Sequence, residues 1–208
     1  MKDNLNLNLN VNVKVNATGE VAEEEDIKAF GFWIYLMTDL IIFAVLFATF
    51  CVLRNSTFGG PSGRELFHMP SVLAETLALL ISSFTCSLAM IEVHQQRKIP
   101  AIAWFAVTFI LGAIFLSLEV SEFFELIDKG NNWQRSAFLS SFFTLVATHG
   151  LHIFIGLLWM ICAMFRIWFR PFSAFHISNL FRLALFWHFL DLVWIFIFTV
   201  VYGMGHLL

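Results

Sequence analysis

Residues 29–53 read AFGFWIYLMTDLIIFAVLFATFCVL, with Asp39 the single charged side chain in the run. A helix of that length is roughly 37 Å long at 1.5 Å per residue, enough to cross a hydrocarbon layer of about 30 Å. Backbone amides in lipid find no water, so such a run must bond its own N–H and C=O groups as a helix. Working outward, four more runs of the same kind follow: 71–91 with Glu75, 99–118 bounded by Lys98 and Glu119, 136–165 with His149 and His152, and 183–208 with His188, Asp191 and His206. The pattern predicts an all-α integral membrane protein of five transmembrane helices, at about 29–53, 71–93, 99–126, 136–165 and 180–206. FGGPSG at 58–63 is a turn cluster; Pro70 and Pro100 suit helix starts, and Pro171 breaks the chain after the fourth helix.

Composition excludes the soluble alternative. Of 208 residues, 59% are hydrophobic and 13% charged, against about 25% charged in an ordinary soluble domain. Mean hydropathy is +0.80. Net charge is −3 with no basic stripe, which argues against nucleic acid as a partner. Cys51, Cys86 and Cys162 lie far apart in apolar runs without metal or disulfide spacing and read as small packing residues.

Residues 1–28 are of a different character. LNLNLNVNVKVN at 5–16 alternates apolar and mostly Asn residues, and an acidic patch follows at Glu20, Glu23, Glu24, Glu25 and Asp26. The segment is expected to be a flexible polar tail, ordered only against a partner; residues 29–208 are expected to form the bundle. Lys2, Lys14, Lys28, Arg97, Lys98, Arg166, Arg170 and Arg182 fall on one side of the membrane; Arg54, Arg64, Lys129 and Arg135 fall on the other. That bias places the N-terminus in the cytoplasm and the C-terminus in the periplasm.

Ionisable groups at membrane depth are costly and mark either function or interhelical contact. Four helices carry polar or small residues at helical spacing, expected to face the bundle interior: Glu75, Leu79, Ser82 and Cys86 with Ser83; Thr108, Gly112, Phe115, Glu119 and Glu122; Ser141, Thr144, Thr148, His152 and Gly156; and Ala184, His188, Asp191, Ile195 and Thr199. The densest constellations are THGLH at 148–152 and WHFLD at 187–191. Helix midpoints put His188 about 9 to 13 Å deeper than the fourth-helix histidines, which tells against their ligating one haem, and bring Asp191 within reach of His152. No cysteine or carboxylate stands at ligand spacing beside them, and no nucleophile-plus-base pattern or phosphate-binding glycine loop occurs. On the residues alone three readings stand: a structural subunit, a small transporter using Asp39, Glu75, Glu119, His152 and Asp191, and a haem-binding anchor of a quinone-linked dehydrogenase. The chain lacks the paired halves and glycine-broken helices of many transporters.

FGFWIYLMTDLIIFAVLFATF (30–50), GGPSGRELFHMPSVLAETLALLISS (59–83), SEFFEL (121–126), RSAFLSSFFTLVATHGLHIFIGLLWM (135–160) and LFWHFLDLVWIFIFTVVY (185–202) together resemble subunit III of haem-copper terminal oxidases, over about residues 28–206 and all five helices. The first two helices are nearest the bacterial cytochrome o ubiquinol oxidase branch, and five helices rather than seven are typical of that branch. The resemblance implies a companion subunit of a proton-pumping enzyme in the bacterial inner membrane that oxidises ubiquinol and reduces oxygen to water. It implies haems and copper in subunit I, no cofactor or metal in this chain, subunits I, II and IV as partners, and phospholipid bound in a cleft. Position by position, Asp39 matches an acidic residue that is typically Glu in cytochrome c oxidases; Glu122 and Glu125 match a SEYFE-like motif. His149 and His152 match HGLH, and His188 and Asp191 match WHFxD. Glu75 stands where many relatives carry Asn. None of these matches makes a residue catalytic, and Glu119 is carried by the intramembrane charge argument alone.

Overall fold

A computed structural model describes residues 2–57, 69–169 and 173–203, with side chains described from Ile27 onward except at Met69 and Ala174. Five α-helices occur among them: α1 Lys2–Leu53, α2 Met69–His94, α3 Lys98–Asp128, α4 Ala137–Phe169 and α5 Ala174–Ile197, the last passing into a π-helical turn, Phe198–Gly203. All five contain a stretch long and apolar enough to cross a membrane, beginning in α1 at Ile27. The backbone of the expected tail continues α1 from Lys2, so the alternation at 5–16 does not produce a strand; isolated, it has no second strand to pair with. FGGPSG, Pro171 and His206 lie outside the described residues.

Helix ends follow from local chemistry. α2 ends with Gln96 at φ 60°; the Gln96 N–H donates to Val93 O at 3.0 Å and Arg97 N–H to Glu92 O at 3.1 Å. α3 ends the same way on Gly130 at φ 76°, with Gly130 N–H donating to Ile127 O and Asn131 N–H to Leu126 O, both at 2.9 Å. These paired bonds close the orphan carbonyls of a helix terminus, and the left-handed residue that they need is ordinarily glycine. Ser136 caps α4 by accepting from Leu139 N–H at 3.1 Å, and Ser173 caps α5 by accepting from His176 N–H at 3.4 Å. Pro70 and Pro100 sit in the first turns of α2 and α3, as expected.

The chain divides into two units, Met1–Thr38 and Asp39–Leu208. In the first, Thr38 Oγ1 donates to Tyr35 O at 2.6 Å. In the second, α2 packs on α3 and α5, and α4 packs on α3 and α5, closing a four-helix square. Trp187 of α5 occupies its centre. Its Nε1–H donates to Ser82 on α2 at 3.1 Å, and its ring covers Gly112 on α3 and Gly156 on α4. A Cβ at Gly112 would lie 2.7 Å from Trp187 Cη2, so only glycine lets the indole in. Two turns on, Trp194 Nε1–H donates to Thr76 at 3.1 Å and its ring meets Phe115 edge-on at 4.6 Å. Thr85 and Thr108 bond across α2 and α3 at 2.8 Å. Without a hydrophobic drive between helices in lipid, such close approach and interhelical hydrogen bonds hold the bundle.

The stripes expected to face inward on α2 and α3 are the buried ones, Glu122 being half-buried; those on α4 and α5 are buried at Ser141, Gly156, Ala184 and Asp191, half-buried at Thr148, His152 and His188, and need correction at the rest. Thr144, Ile195 and Thr199 are exposed, while Phe142, Val146, His149 and Ile153 of α4, and Trp187, Leu190, Trp194 and Ile197 of α5, are buried. Hydroxyl content misled the reading: Thr144 and Thr199 each satisfy their hydroxyl on the carbonyl four residues back, at 2.7 and 2.9 Å, and so face lipid without an orphan donor. Of the three cysteines only Cys86 is buried; Cys51 and Cys162 are exposed, and all three are free.

Candidate functional site

The intramembrane polar residues assemble into separate clusters. Asp39, Glu75, Glu119, His149 and Asp191 are buried, and Glu122, His152 and His188 half-buried.

The first cluster joins α1 to α4. His152 Nδ1–H donates to Thr148 O at 2.7 Å, which turns Nε2 toward Asp39 Oδ2 at 3.6 Å. That spacing suits an ion pair and is too long for a direct hydrogen bond. With Nδ1 committed, one proton on either Nε2 or the carboxyl avoids two lone pairs facing each other. The Asp191–His152 contact expected from helix midpoints is not formed. His149 and His152 are three residues apart, about 60° around the helix, so one faces α5 and the other α1.

His149 is the better buried of the two, at 0% exposure. Its Nε2–H donates to Leu190 O at 3.2 Å, while Phe43, Phe115 and Trp194 surround the ring at centroid distances of 6.4, 5.8 and 5.2 Å. Nδ1 has no hydrogen-bond partner among the described residues. The bond sets His149 level with Leu190, two residues from His188, so the axial offset is about 3 Å rather than the 9 to 13 Å read from helix midpoints. α5 begins at Ala174, nine residues before its apolar run, and α4 continues to Phe169, four residues past its own, so both midpoints shift, that of α5 the further.

His188 faces α2. Ser83 Oγ lies 2.6 Å from its Nδ1 and Ser87 Oγ 3.2 Å from its Nε2, so both ring nitrogens are engaged by serines. Asp191, one turn on, is buried in the same seam, with Oδ1 lacking a hydrogen-bond partner among the described residues. His152 and His188 therefore address different helices, α1 and α2, while His149 joins the two constellations through Leu190 O.

The third cluster was missed as a cluster, although each carboxylate was singled out. Glu75 of α2 and Glu122 of α3 line one cavity of about 70 Å³. The Tyr202 hydroxyl donates to Glu122 Oε2 at 3.2 Å. Glu119 lies one turn deeper, packed over Gly150, where a Cβ would come within 2.8 Å of its Oε1. Neither oxygen of Glu75 nor of Glu119 has a hydrogen-bond partner among the described residues. Tyr202 was not picked out; the available signal was a phenol at the end of an apolar run, on the same end of the bundle as the start of α2 and the end of α3. Glu125 bonds Lys129 at 2.6 Å on the exposed edge. Among the described residues, no three His, Cys, Asp or Glu side chains are placed to hold a metal ion.

Comparison with known proteins identifies the family. Residues 20–206 match the family model for cytochrome c oxidase subunit III. The chain is 56% identical over 178 residues to the cytochrome bo(3) ubiquinol oxidase subunit 3 of Pseudomonas aeruginosa, covering 86% of this chain and 85% of that protein. It is 44% identical to the cytochrome bo(3) ubiquinol oxidase subunit 3 of Buchnera aphidicola, over 84% of this chain and 90% of that one. It is also 44% identical to the cytochrome c oxidase subunit 3 of Bacillus sp. strain PS3, over 86% of each. Chains of this length thus carry both names. Five membrane-crossing helices with these motifs in register, and a family match across nearly the whole chain, establish that the chain belongs to the cytochrome c oxidase subunit III family.

Proposed function

We propose that the chain is the non-redox subunit III of a proton-pumping respiratory quinol oxidase, which oxidises ubiquinol and reduces oxygen to water. The observation that carries this reading is the 56% identity, over most of both chains, with a protein named as subunit 3 of a cytochrome bo(3) ubiquinol oxidase. Subunit I is the partner that holds the haems and copper, with subunits II and IV completing the complex. The chain packs against subunit I in the bacterial inner membrane and supports stability and sustained turnover. N-terminus in the cytoplasm and C-terminus in the periplasm is the orientation that its Lys and Arg bias favours; residues 1–28 form a polar extension before the first span. Phospholipid binding fits an apolar groove of about 320 Å³ between α3 and α4, lined by Leu116, Val120, Phe123, Leu151 and Phe154.

The test is purification in mild detergent from native membranes. The expected result is copurification with a haem-copper subunit, ubiquinol oxidase activity in the complex, and no visible absorbance in the chain once separated. A Soret band travelling stoichiometrically with the isolated chain, or complexes active on cytochrome c and not on ubiquinol, would overturn the reading.

A further inference from the structure

Glu75 lies near the start of α2 and Glu122 near the end of α3. Each is roughly 9 Å from its helix end at 1.5 Å per residue, and both reach one cavity of about 70 Å³ also lined by Ser71, Ser121, Leu126 and Lys129. Glu75 is 1% exposed, and both its oxygens lack a hydrogen-bond partner among the described residues. Glu122 receives the Tyr202 hydroxyl at 3.2 Å. Lys129, at the rim and about half exposed, bonds Glu125 at 2.6 Å. On α3, Glu125, Glu122 and Glu119 thus descend from the paired surface, through the cavity, to the interior.

Buried carboxyl oxygens are costly to leave without donors, so something must supply them. The bonds described above leave Glu75 without a donor. A metal ion is disfavoured, because among the described residues no three acidic or imidazole side chains converge on one point. Water fits on both size and chemistry. A cavity needs about 10 to 15 Å³ of probe space per water and two to four polar partners, and this one exceeds the first several-fold. Glu75, Glu122, Ser71 and Ser121 offer the second.

We propose that this cavity is an aqueous inlet, holding water that donates to Glu75 and Glu122 and joins them by hydrogen bonds to the Glu125–Lys129 pair at the surface. Tyr202, outside that lining, holds Glu122 Oε2, and Glu119 lies one turn deeper on α3. The inlet solvates two intramembrane carboxyls from one end of the bundle, and protons reaching or leaving Glu122 travel by that water. It is separate from the Asp39–His152 pair and does not depend on which electron donor the complex uses.

Radiolytic footprinting of the intact complex in detergent tests the inlet. A brief X-ray pulse makes hydroxyl radicals from water in place, and mass spectrometry finds side chains oxidised beside bound water even where bulk solvent cannot reach. Leu126, 3% exposed and on the cavity wall, is the reporter. Leu139 and Leu145, 1% and 0% exposed and absent from that lining, are the controls. Oxidation of Leu126 is expected several-fold above both, in buffer whose only cation is choline. Ser121→Leu, filling the mouth, is expected to bring it down to their level, with complex yield unchanged. Oxidation of Leu126 no faster than Leu139 in the unaltered complex overturns the inlet. So does its suppression by added sodium or calcium, which would assign the cavity to a metal cation instead.

Discussion

The packing around Trp187 makes a sharp demand on Gly112. A methyl group there would sit 2.7 Å from Trp187 Cη2, 2.8 Å from Cζ2 and 3.1 Å from Leu157 Cδ2. Carbon atoms pack best at about 3.5 to 4.0 Å, so the indole would have to withdraw by roughly 0.8 Å. It has nowhere to go. Its Nε1–H is held by Ser82 at 3.1 Å, and on its other edge a Cβ at Gly156 would already lie 3.2 Å from Cζ3. Overpacking of this kind costs about 1 to 3 kcal/mol, and a stretched Trp187–Ser82 bond adds about 1 kcal/mol. Gly112→Ala is therefore expected to lose about 2 to 4 kcal/mol, or roughly 30-fold to several-hundred-fold in the folding constant. Equilibrium unfolding by sodium dodecyl sulfate in mixed micelles, followed by tryptophan fluorescence, measures it. Gly31→Ala is the control, since no atom lies within 4 Å of a Cβ there and the methyl favours helix. In a Trp187→Phe background, where the two indole atoms are gone and only the flexible end of Leu157 must give, the cost of Gly112→Ala should fall below about 1 kcal/mol. Gly112→Ala within about 0.5 kcal/mol of wild type would refute the wedge.

Asp39→Asn is expected to permit assembly, since Asn keeps a polar group of the same size facing His152, and to lower stability by about 1 kcal/mol or to shorten sustained turnover. Thermal melts and activity decay of the complex check it, and no change in either removes any special role for the pair. A double-mutant cycle of Thr85→Val and Thr108→Val should give a coupling of about 0.6 kcal/mol, the usual worth of such a bond between helices in lipid; zero coupling would mean that the 2.8 Å contact contributes nothing. Gln96→Gly should stabilise by about 1 kcal/mol by relieving the left-handed backbone at φ 60°. A loss of stability instead would show that the Gln96 side chain holds the α2–α3 turn.

Five helices long and apolar enough to cross a membrane were legible because lipid leaves the backbone one solution, and the apolar run length reports it directly. The inward faces of α2 and α3 were also legible, where small and acidic residues coincide with burial. Those of α4 and α5 were less so. A threonine that bonds its own helix carbonyl is polar in composition and apolar in effect, so Thr144 and Thr199 point outward while Val146 and Trp194 point in. The partner of His152 was unreadable for a different reason. Depth along each helix can be counted, but rotation and neighbours are fixed by packing; the bond from His149 to Leu190 O commits that face of α4 to α5 and leaves His152 for Asp39.

The unpartnered atoms follow a rule of their own. Every buried side-chain nitrogen or oxygen lacking a hydrogen-bond partner among the described residues belongs to an ionisable group: Asp39, Glu75, Glu92, Glu119, His149 or Asp191. No serine, threonine or tryptophan is among them. A helix interior offers only acceptors, because its N–H groups are already spent on its own carbonyls. A hydroxyl donor therefore satisfies itself three or four residues back, as Thr76, Ser82 and Thr108 do. A carboxylate, which only accepts, cannot. It must look to another helix, as Asp39 looks to His152, or to something that is not this chain. Glu119 separates the alternatives. If its oxygens merely lack donors, Glu119→Gln removes one unpartnered acceptor and supplies N–H groups that a helix carbonyl can accept, as Trp104 O does from Thr108, and should hold or raise stability by about 1 kcal/mol. A loss greater than that, in the complex and not in the isolated chain, would mean that the carboxyl holds a partner's donor.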